Sequence, residues 1–380
     1  MRITLDVETL RYIDSMLYQC SKKSTTLGIH NDSEKIVFFI SPEQLRFDFL
    51  NDIRIGIKSN CKEKFTVGLE FEVFRKLLTK SGVIEFDVSD THVSVITSNS
   101  KHRFKIVATE YSNQSNVNGD GYELFTTNLA IPISCCFEPD YNSKIAGAFE
   151  NNINIVFVGN KVIATTTNRN VITRYYEQVN DKSFTGDDIS LPANSMNFIL
   201  STMRDINLFK LFITESFIRI LLFDAKHETT LKYDLKLSSV KFPNCDNFFI
   251  HGEDAFSIDC QLFKDFINNF VSIKNQDCKE IISLKLNSDM LQCSLIHTEH
   301  ESFSELKVDL IKPNDITLYL DMELLKSAIK NIPKSAKLVI GLFETKIFIF
   351  SEDKKFQGIV SGIDPSAITG KKSNNEIKGE

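Results

Sequence analysis

The chain contains 380 residues, of which 42% are hydrophobic and 25% are charged, values that are ordinary for a globular protein with buried cores. At roughly 150 residues per domain, this length suggests two or three domains. The 15 glycines and 8 prolines are too few for a collagen-like or low-complexity chain, and the net charge of −6 argues against a simple polycationic nucleic-acid coat.

No targeting pattern is visible in the sequence. No apolar run approaches the roughly 18 residues of a membrane span, and Asp6 and Glu8 interrupt any signal-peptide pattern at the start. The eight cysteines include no CxxC pair, and without an export signal we expect them to be reduced and mostly buried. The sequence therefore predicts an intracellular, soluble protein without a membrane segment.

A short pattern recurs along the chain: an apolar residue, an acid, an apolar residue, then Glu or Gln. Its four copies begin at Leu5, Leu69, Ile258 and Leu320. Each copy ends a β-like run and opens a stretch with apolar residues at steps of three and four, which predicts an amphipathic helix. The acid is suited to cap the exposed N–H groups of that helix. Two more helices are predicted, over residues 128–137 with Pro132 inside, and from Pro192 to about residue 205.

Alternating β-strands follow three of these helices. The resulting blocks cover residues 81–106, 207–235 and 336–360, and their spacing of about 125–130 residues suits a duplicated domain better than a solenoid repeat. The turn at residues 158–161 (VGNK) predicts a hairpin, because Gly and Asn tolerate positive φ.

We therefore predict an α+β chain of three similar domains, each with two helices packed on antiparallel sheets. The domains would cover residues 1–120, 121–250 and 251–368, with a linker within residues 112–121. The last residues, 369–380, are polar and are predicted to be disordered.

No catalytic constellation is visible. The sequence has neither a GxxxxGK[ST] nor a GxGxxG motif, so no phosphate-binding loop is indicated. His297 and His300 lack the HExxH order that places two His on one helix face, and a solvated loop explains them. Cys135 and Cys136 are adjacent and could bridge only with strain. We predict no enzyme activity, no catalytic residue, no cofactor and no metal site.

Positive charge is concentrated on the predicted helices of this acidic chain. On two of them the basic residues lie opposite the apolar stripe; these residues are Arg75, Lys76 and Lys80 on one helix and Lys326, Lys330 and Lys334 on the other. A solvated face explains such charge on a single helix. Several similar helices on duplicated domains would instead converge on a polyanion, and phosphate contacts of this kind bind without reading sequence and permit sliding.

Three local motifs are collinear with one known family. Residues 164–169 (ATTTNR) stand where that family has Ala-Thr-Asp-Gly-His-Arg, and residues 241–244 (KFPN) stand where it has Arg-Phe-Pro-Asp. Residues 357–360 (QGIV) match the family's final strand. Together with the order of elements and the three-domain length, these motifs resemble the bacterial β-type sliding clamp, the processivity factor and beta subunit of DNA polymerase III. The resemblance extends from residue 1 to about residue 363.

The resemblance implies a head-to-tail homodimer in which six similar domains form a ring around double-stranded DNA. Such a clamp is not an enzyme and binds DNA without sequence preference. It tethers a DNA polymerase and a clamp loader, which insert short apolar peptides between the second and third domains. Its place would be the nucleoid or the cytoplasm of a host cell.

Three residue sets follow from the resemblance by position. The partner-peptide pocket would use Thr165, Thr167, Asn168, Arg169, Pro243, Phe248, Ile359, Val360, Ser361 and Gly362. The DNA-facing set would include Lys22, Lys23, Arg75, Lys76, Lys80, Arg204, Lys264, Lys274, Lys326 and Lys330. The subunit interface would pair the edge strand bearing Phe104 and Ile106 with the helix around Phe270 and Ile273.

The sequence departs from the family pattern at two places. Thr167-Asn168 replaces Gly-His and Asn170 replaces an apolar residue, so the pocket is expected to prefer different partner peptides. The chain also continues past Pro365, and we hypothesise that residues 369–380 lie beside the pocket or partly cover it. Such divergence, with enrichment in Asn and Phe, would suit a clamp encoded by a phage or virus.

Two other interpretations remain open at this point. One is a self-assembling structural ring protein of a virus with no DNA-sliding role, whose helices would share no basic face. The other, more distant, is a hydrolase with a site that motif searches do not reveal.

Overall fold

The structure is a computed structural model of the chain. The residues that it describes are 2–6, 11, 35–40, 44–49, 53–58, 65–70, 83–89, 92–97, 100–105, 122–136, 148–179, 184–192, 208–215, 217–224, 229–238, 240–249, 254–270, 280–296, 301–313, 315–343 and 345–366. The predicted helix over residues 71–80 lies outside this set, as do residues 193–205 of the helix predicted from Pro192, the predicted linker and the predicted tail. Pro192 itself is the last residue of a β-strand and not part of a helix. Of the helix predicted over residues 7–23, only Arg11 is described, and it is helical and exposed.

Most described residues belong to β-strands. In the first part of the chain these are β1 (Arg2–Asp6), β2 (Lys35–Ile40), β3 (Gln44–Phe49), β4 (Ile53–Lys58), β5 (Phe65–Glu70), β6 (Val83–Val88), β7 (His92–Thr97), β8 (Ser100–Lys105), β9 (Tyr122–Phe125), β10 (Asn152–Gly159), β11 (Lys161–Thr167), β12 (Val171–Gln178) and β13 (Phe184–Pro192). They continue as β14 (Leu208–Ile213), β15 (Phe217–Asp224), β16 (Thr229–Lys236), β17 (Asp254–Asp259), β18 (Ile281–Asn287), β19 (Met290–Ile296), β20 (Glu301–Lys307), β21 (Asp309–Leu310), β22 (Thr317–Asp321), β23 (Lys337–Phe343), β24 (Lys346–Ser351) and β25 (Phe356–Ser361).

Three α-helices are described: α1 (Thr126–Cys135), α2 (Cys260–Asn268) and α3 (Met322–Lys330). The predicted capping acids are confirmed for α2 and α3. Asp259 Oδ1 accepts hydrogen bonds from the backbone N–H groups of Gln261 and Leu262. In the same way, Asp321 Oδ1 accepts hydrogen bonds from the backbone N–H groups of Glu323 and Leu324. The helix predicted over residues 128–137 is also present, as α1, and contains Pro132. The hairpin predicted at residues 158–161 is confirmed, with Gly159 at φ 59°.

The chain divides into two compact units. The first comprises Met1–Thr127 and Asn194–Leu237, and the second comprises Asn128–Ala193 and Ser238–Glu380. These bounds describe two units within the chain, and the three domain boundaries expected from the sequence stay a prediction.

The described strands of each unit form two antiparallel sheets. In the first unit the strand orders are β1-β6-β7-β8 and β5-β2-β3-β4-β16-β15-β14-β9. In the second unit they are β13-β10-β11-β12-β25-β24-β23-β17-β21 and β20-β19-β18-β22. The predicted class, helices packed on antiparallel sheets, is confirmed.

One strand arrangement occurs three times among the described strands. In each case the first of four strands along the chain lies between the fourth and the second, and the third follows the second. The three sets are β5-β2-β3-β4, β13-β10-β11-β12 and β22-β18-β19-β20. The strand that precedes each of these sets pairs with the first of the last three strands of the same third of the chain, and the resulting rows are β1-β6-β7-β8, β9-β14-β15-β16 and β17-β23-β24-β25. This recurrence is the structural basis of the self-similarity in the sequence.

The core of the second unit lies under α2 and α3. Phe263 of α2 and Leu325 of α3 are fully buried and belong to one apolar cluster with Leu284 of β18 and with Phe356 and Val360 of β25. The apolar stripes predicted from steps of three and four are therefore the faces that these two helices bury. Removing a buried Phe side chain from such a core typically costs about 3–5 kcal/mol.

Candidate functional site

The turn between β11 and β12 carries the first group of predicted pocket residues. Thr165 and Thr167 are buried, and Thr167 Oγ1 donates a hydrogen bond to the Val171 carbonyl at 2.9 Å. Asn168 Oδ1 accepts hydrogen bonds from the backbone N–H groups of Asn170 at 3.2 Å and Val171 at 2.8 Å. Such side-chain bonds to the backbone are typical of an Asx turn. The residues that depart from the family motif thus fix the shape of this turn.

Arg169 stands in the same turn with φ 74°, a left-handed conformation that few residues other than glycine adopt. Its Nε lies 2.5 Å from Glu150 Oε1, and its guanidinium carbon lies 5.8 Å from the ring centroid of Phe149. Phe149 meets Phe242 edge to face, with ring centroids 6.4 Å apart. These contacts join the turn to the short 3₁₀ helix Ala148–Asn151 and to the segment that leads into Pro243.

A second group of pocket residues lies in the connector over residues 240–249. Pro243 is exposed, and Phe248 remains 49% exposed, which is unusual for a large apolar side chain. Asn244 Oδ1 accepts a hydrogen bond from the Asp246 backbone N–H at 2.9 Å, at the start of a 3₁₀ helix over Asp246–Phe249. Lys346 Nζ lies 6.0 Å from the Phe248 ring centroid. The connector therefore offers an apolar contact point with a positive charge beside it.

Arg174 of β12 fastens this 3₁₀ helix to the sheet. Its Nη2 donates a hydrogen bond to Asp246 Oδ1 at 2.8 Å, and its Nε donates to Thr165 Oγ1 at 3.3 Å. Its guanidinium carbon lies 4.6 Å from the Phe249 ring centroid, a cation–π distance. Phe249 packs against a small apolar cluster that is separate from the main core and consists of Phe348, Phe350 and Ile359.

The end of β25 supplies the remaining pocket residues, and here one prediction is wrong. Ile359 belongs to the cluster under Phe249, but Val360 is fully buried in the main core, directly opposite Val171. Because successive strand residues point to opposite faces, only one of two neighbours can face the connector. Val360 therefore does not line the predicted pocket.

The residues after Val360 bring the strand end and the turn together. The Ser361 backbone N–H donates a hydrogen bond to the Asn170 carbonyl at 2.7 Å. A Cβ added to Gly362 would lie 2.6 Å from the Thr345 carbonyl oxygen and 2.9 Å from the Tyr319 carbonyl oxygen, so this position has no space for a side chain. The turn, the connector and the end of β25 thus form one bonded region of the second unit.

The predicted DNA-facing residues are described only in part. Lys326 and Lys330 lie on α3, where Lys330 is exposed and Lys326 Nζ is 3.9 Å from Glu323 Oε1. The others, apart from Lys264, lie outside the described residues; these are Lys22, Lys23, Arg75, Lys76, Lys80, Arg204 and Lys274.

Lys264 is placed differently from the prediction. It is only 8% exposed, and its ammonium donates hydrogen bonds to the carbonyls of Lys330 at 2.9 Å and Ile332 at 2.6 Å. Lysine near a helix C-terminus satisfies carbonyls that have no partner within the helix. The ammonium of Lys264 therefore caps the end of α3, and Lys264 drops out of the predicted DNA-facing set.

The predicted subunit interface also needs a correction. Phe104 belongs to β8, the last strand in the described order of its sheet, whereas Ile106 and Ile273 lie outside the described residues. Phe270 is buried in the core of the second unit and meets Phe266 edge to face at 6.2 Å. Because its side chain is already covered within its own unit, Phe270 is unsuited to the contact expected of it.

The described part of the chain contains neither a cluster of metal-ligating side chains nor an ionised thiol at Cys135 or Cys136. No group of three or more His, Cys, Asp or Glu that could hold a metal ion occurs there, and His297 and His300 lie outside it. Burial raises the pKa of the Cys135 thiol to about 11 and that of the Cys136 thiol to about 12, so both stay protonated. No helix in the described residues is long and apolar enough to cross a membrane.

Solved structures match this chain over nearly its whole length. The DNA polymerase III subunit beta from Pseudomonas aeruginosa matches with a TM-score of 0.79 and 12% identity, over 96% of this chain and 100% of that one. The beta subunit from the DNA polymerase of Streptococcus pyogenes matches with a TM-score of 0.79 and 13% identity, over 96% and 100%. The Pseudomonas aeruginosa sliding clamp bound to griselimycin matches with a TM-score of 0.77 and 12% identity, over 96% and 99%.

No protein-family model matches the sequence, and no curated protein matches it. The structural matches define the class of fold: it is the fold of the sliding clamps. More particularly, it is the fold of the bacterial DNA polymerase III beta subunit, as the resemblance in the sequence implied.

Sequence reasoning missed the residues that hold the pocket region together, namely Arg174, Phe249, Phe149 and Glu150. The sequence did contain a signal for Arg174, because side chains of β12 alternate between the two faces of the sheet. Val171 and Tyr175 face the core, so Ile172 and Arg174 lie on the opposite face. No pattern in the sequence indicates that Phe249, rather than its neighbour Phe248, is the ring that packs on the sheet.

Proposed function

We propose that this chain is a DNA sliding clamp, a binding protein and not an enzyme. It encircles double-stranded DNA as a homodimeric ring of three-domain subunits, binds without sequence preference and tethers a DNA polymerase as its processivity factor. The observation that carries the proposal is that the sliding-clamp fold extends over 96% of the chain. The protein works in the cytoplasm, on the DNA of a cell or of a virus within its host.

The described part of the DNA-facing surface fits this role. On α3, Leu325 and Ile329 are buried while Lys330 is exposed one position further along, so basic and apolar residues occupy different sides of the helix. Lysine contacts to phosphates neutralise charge and release counterions, which holds DNA without fixing its position. Lys326 and Lys330 are therefore the described members of the proposed inner surface.

The bonded region around Phe248, Ile359 and the turn at Asn168 is the proposed partner site. An exposed aromatic ring beside a lysine suits a short apolar peptide that also carries a carboxylate. A DNA polymerase and a clamp loader would each present such a peptide. The structure of the Pseudomonas aeruginosa clamp bound to griselimycin supports the idea that a clamp of this fold accepts a compact ligand.

Topological retention on DNA tests the proposal directly. The protein is loaded onto a nicked circular plasmid with a clamp loader, and free protein is removed by gel filtration. We expect the protein to remain on the circle and to be released when a restriction enzyme cuts the DNA once. Retention that persists after the cut would mean ordinary binding, and no association with DNA would favour the viral structural ring.

A charge variant tests the proposed inner surface. Lys326→Glu with Lys330→Glu should weaken DNA association and reduce the slope of log K against log salt, by about one for each phosphate that the protein no longer neutralises. The matched control is Lys285→Glu with Lys312→Glu, which makes the same change of charge at exposed positions outside α3. Equal salt slopes for the two variants would remove Lys326 and Lys330 from the DNA-facing set.

A further inference from the structure

A row of three side chains crosses β23, β24 and β25 beside the proposed partner site. Lys346 of β24 lies directly opposite Phe343 of β23 and directly opposite Ser361 of β25. The strand neighbours Leu342 and Ile347 are buried in the main core. Because successive strand residues point to opposite faces of a sheet, Phe343, Lys346 and Ser361 all lie on the outer face.

The same face carries the small apolar cluster of the partner site. Two residues along β24 from Lys346, Phe348 lies opposite Ile359 of β25, and both belong to that cluster. The ammonium of Lys346 also lies 6.0 Å from the ring centroid of Phe248. The row therefore extends the partner site from Phe248 toward Phe343.

Two large apolar side chains next to Lys346 are exposed. Phe248 is 49% exposed and Phe343 is 42% exposed, whereas Phe348 in the adjoining cluster is only 2% exposed. Large apolar side chains are usually covered by the protein itself, and exposed apolar surface beside polar residues marks places where another chain binds. The two rings are therefore suited to receive two apolar side chains of a partner.

The charge of Lys346 is not matched by an acid among the described residues. Arg169, in the same region, is paired with Glu150, and Arg174 is paired with Asp246. No described acidic residue forms such an ion pair with Lys346. An ammonium beside apolar surface attracts a carboxylate and repels another cation, because apolar neighbours reduce the screening by water.

We propose that Lys346 is a specificity-determining residue of the partner site and selects peptides in which a carboxylate lies between two apolar side chains. One apolar side chain packs on Phe248, the other packs on Phe343, and the carboxylate pairs with the ammonium of Lys346. This inference rests on the proposed function in taking a peptide of a partner protein as the occupant. Neither Phe343 nor Lys346 belongs to the pocket set implied by the resemblance, so the preference follows from this chain's own residues.

The surroundings of Lys346 favour a peptide over a nucleic acid. A nucleic-acid backbone is bound by several cations that together follow its phosphates, whereas Arg169 and Arg174 are already paired with acids here. A peptide needs only one charge contact and gains the rest of its affinity from apolar side chains that fill pockets. The two exposed rings and the single unmatched ammonium meet that requirement.

Peptide display tests the preference without assuming which protein is the partner. The wild-type chain and Lys346→Glu are immobilised separately, and both select from the same library of random peptides. Wild-type selections should be enriched in Asp or Glu between apolar residues, whereas Lys346→Glu should select Lys or Arg there. The matched control, Lys285→Glu at an exposed position of β18, should give the wild-type pattern. Acidic enrichment on Lys346→Glu, or none on the wild type, would overturn the proposal.

Fluorescence anisotropy with one selected peptide measures the contribution of the carboxylate. Replacing the acid of the peptide by the matching amide should raise the dissociation constant about three- to tenfold on the wild type, and by less than about twofold on Lys346→Gln. The difference should shrink as salt is added, because salt screens a charge pair near the surface. An equal loss on both proteins would mean that the carboxylate contacts another residue, which contradicts the proposal.

Phe343→Ala tests the second apolar contact. It should raise the dissociation constant of the selected peptide about fivefold or more. Of two peptides that each lack one apolar side chain beside the acid, one should bind Phe343→Ala and the wild type equally. The matched control, Ile311→Ala, removes another exposed apolar side chain and should leave the affinity unchanged. Equal effects of the two variants, or no effect of Phe343→Ala, would exclude Phe343 from the contact.

The peptide preference and the clamp function can fail separately. A chain that selects acidic peptides through Lys346 but is not retained on circular DNA would keep the preference and overturn the proposed function. A chain that is retained on circular DNA without that preference would do the reverse. A synthetic peptide with the sequence of residues 367–380 serves as a competitor; if it displaced the selected peptides, the occupant would be the end of this chain, and the assignment to a partner protein would be wrong.

Discussion

The two faces of the nine-stranded sheet share the same strands but are held in different ways. On the inner face, Val171, Phe356 and Val360 belong to the large apolar core under the helices. On the outer face, Ile359, Phe348 and Phe350 form a small cluster, against which Phe249 of a short 3₁₀ helix packs. The guanidinium of Arg174 lies against the Phe249 ring. The inner face therefore contributes most to the folding of the second unit, and the outer face carries the proposed partner site.

The largest expected effect is on the inner face. Phe356→Ala should lower the free energy of unfolding of the second unit by about 3–5 kcal/mol, because it removes a fully buried ring from the core. The matched change on the outer face, Phe350→Ala, should cost less, because its cluster has few members. Urea unfolding of both variants measures the difference. Equal decreases would show that the outer cluster is as important to folding as the core.

A smaller effect is expected at Arg174, and it should be local. Arg174→Ala removes the hydrogen bonds to Asp246 and Thr165 and the packing on Phe249. Because Asp246 is largely exposed, we expect the free energy of unfolding to fall by only about 1 kcal/mol. Hydrogen exchange in residues 244–249 should nevertheless become much faster. Arg174→Lys keeps the positive charge but lacks the planar guanidinium, so it should restore little of the protection against hydrogen exchange. Full protection in the lysine variant would mean that Arg174 acts through its charge alone.

The smallest expected effect concerns the buried thiols of Cys135 and Cys136 at the end of α1. Cys136 Sγ lies 3.5 Å from the Ala164 carbonyl oxygen, and burial raises its pKa to about 12, above the usual 9.0. A thiol whose pKa is raised by folding adds stability that is present below pH 9 and is lost as the pH rises toward 12. At pH 8.5 we expect iodoacetamide to leave Cys135 and Cys136 unmodified in the folded protein and to modify both in urea, as measured by mass spectrometry. Modification of the folded protein would mean that α1 opens readily.

Local patterns were sufficient to predict several of the described elements of this fold. The acids at 259 and 321 cap α2 and α3 as predicted, since capping needs only the nearest residues. The hairpin at Gly159 was predicted for the same reason. The threefold strand arrangement agrees with the similarity of the three sequence blocks.

Contacts between distant segments explain where the site predictions were wrong. Lys264 shares a helix face with Cys260 and Ile267, and its burial depends on carbonyls at the end of α3, 66 and 68 residues further along the chain. The assignment of Val360 to the pocket came from matching a motif by position. The register with Val171 decides which face that residue takes, and register cannot be obtained from four residues of one strand.

The close packing around Gly362 has a consequence for how this chain can vary. A side chain at this position would collide with the backbone carbonyls of Thr345 and Tyr319, so glycine is required there whatever residues surround it. Phe248, by contrast, is half-exposed, and its exchange should cost the fold little. Evolutionary drift of this region is therefore expected at Phe248 and not at Gly362.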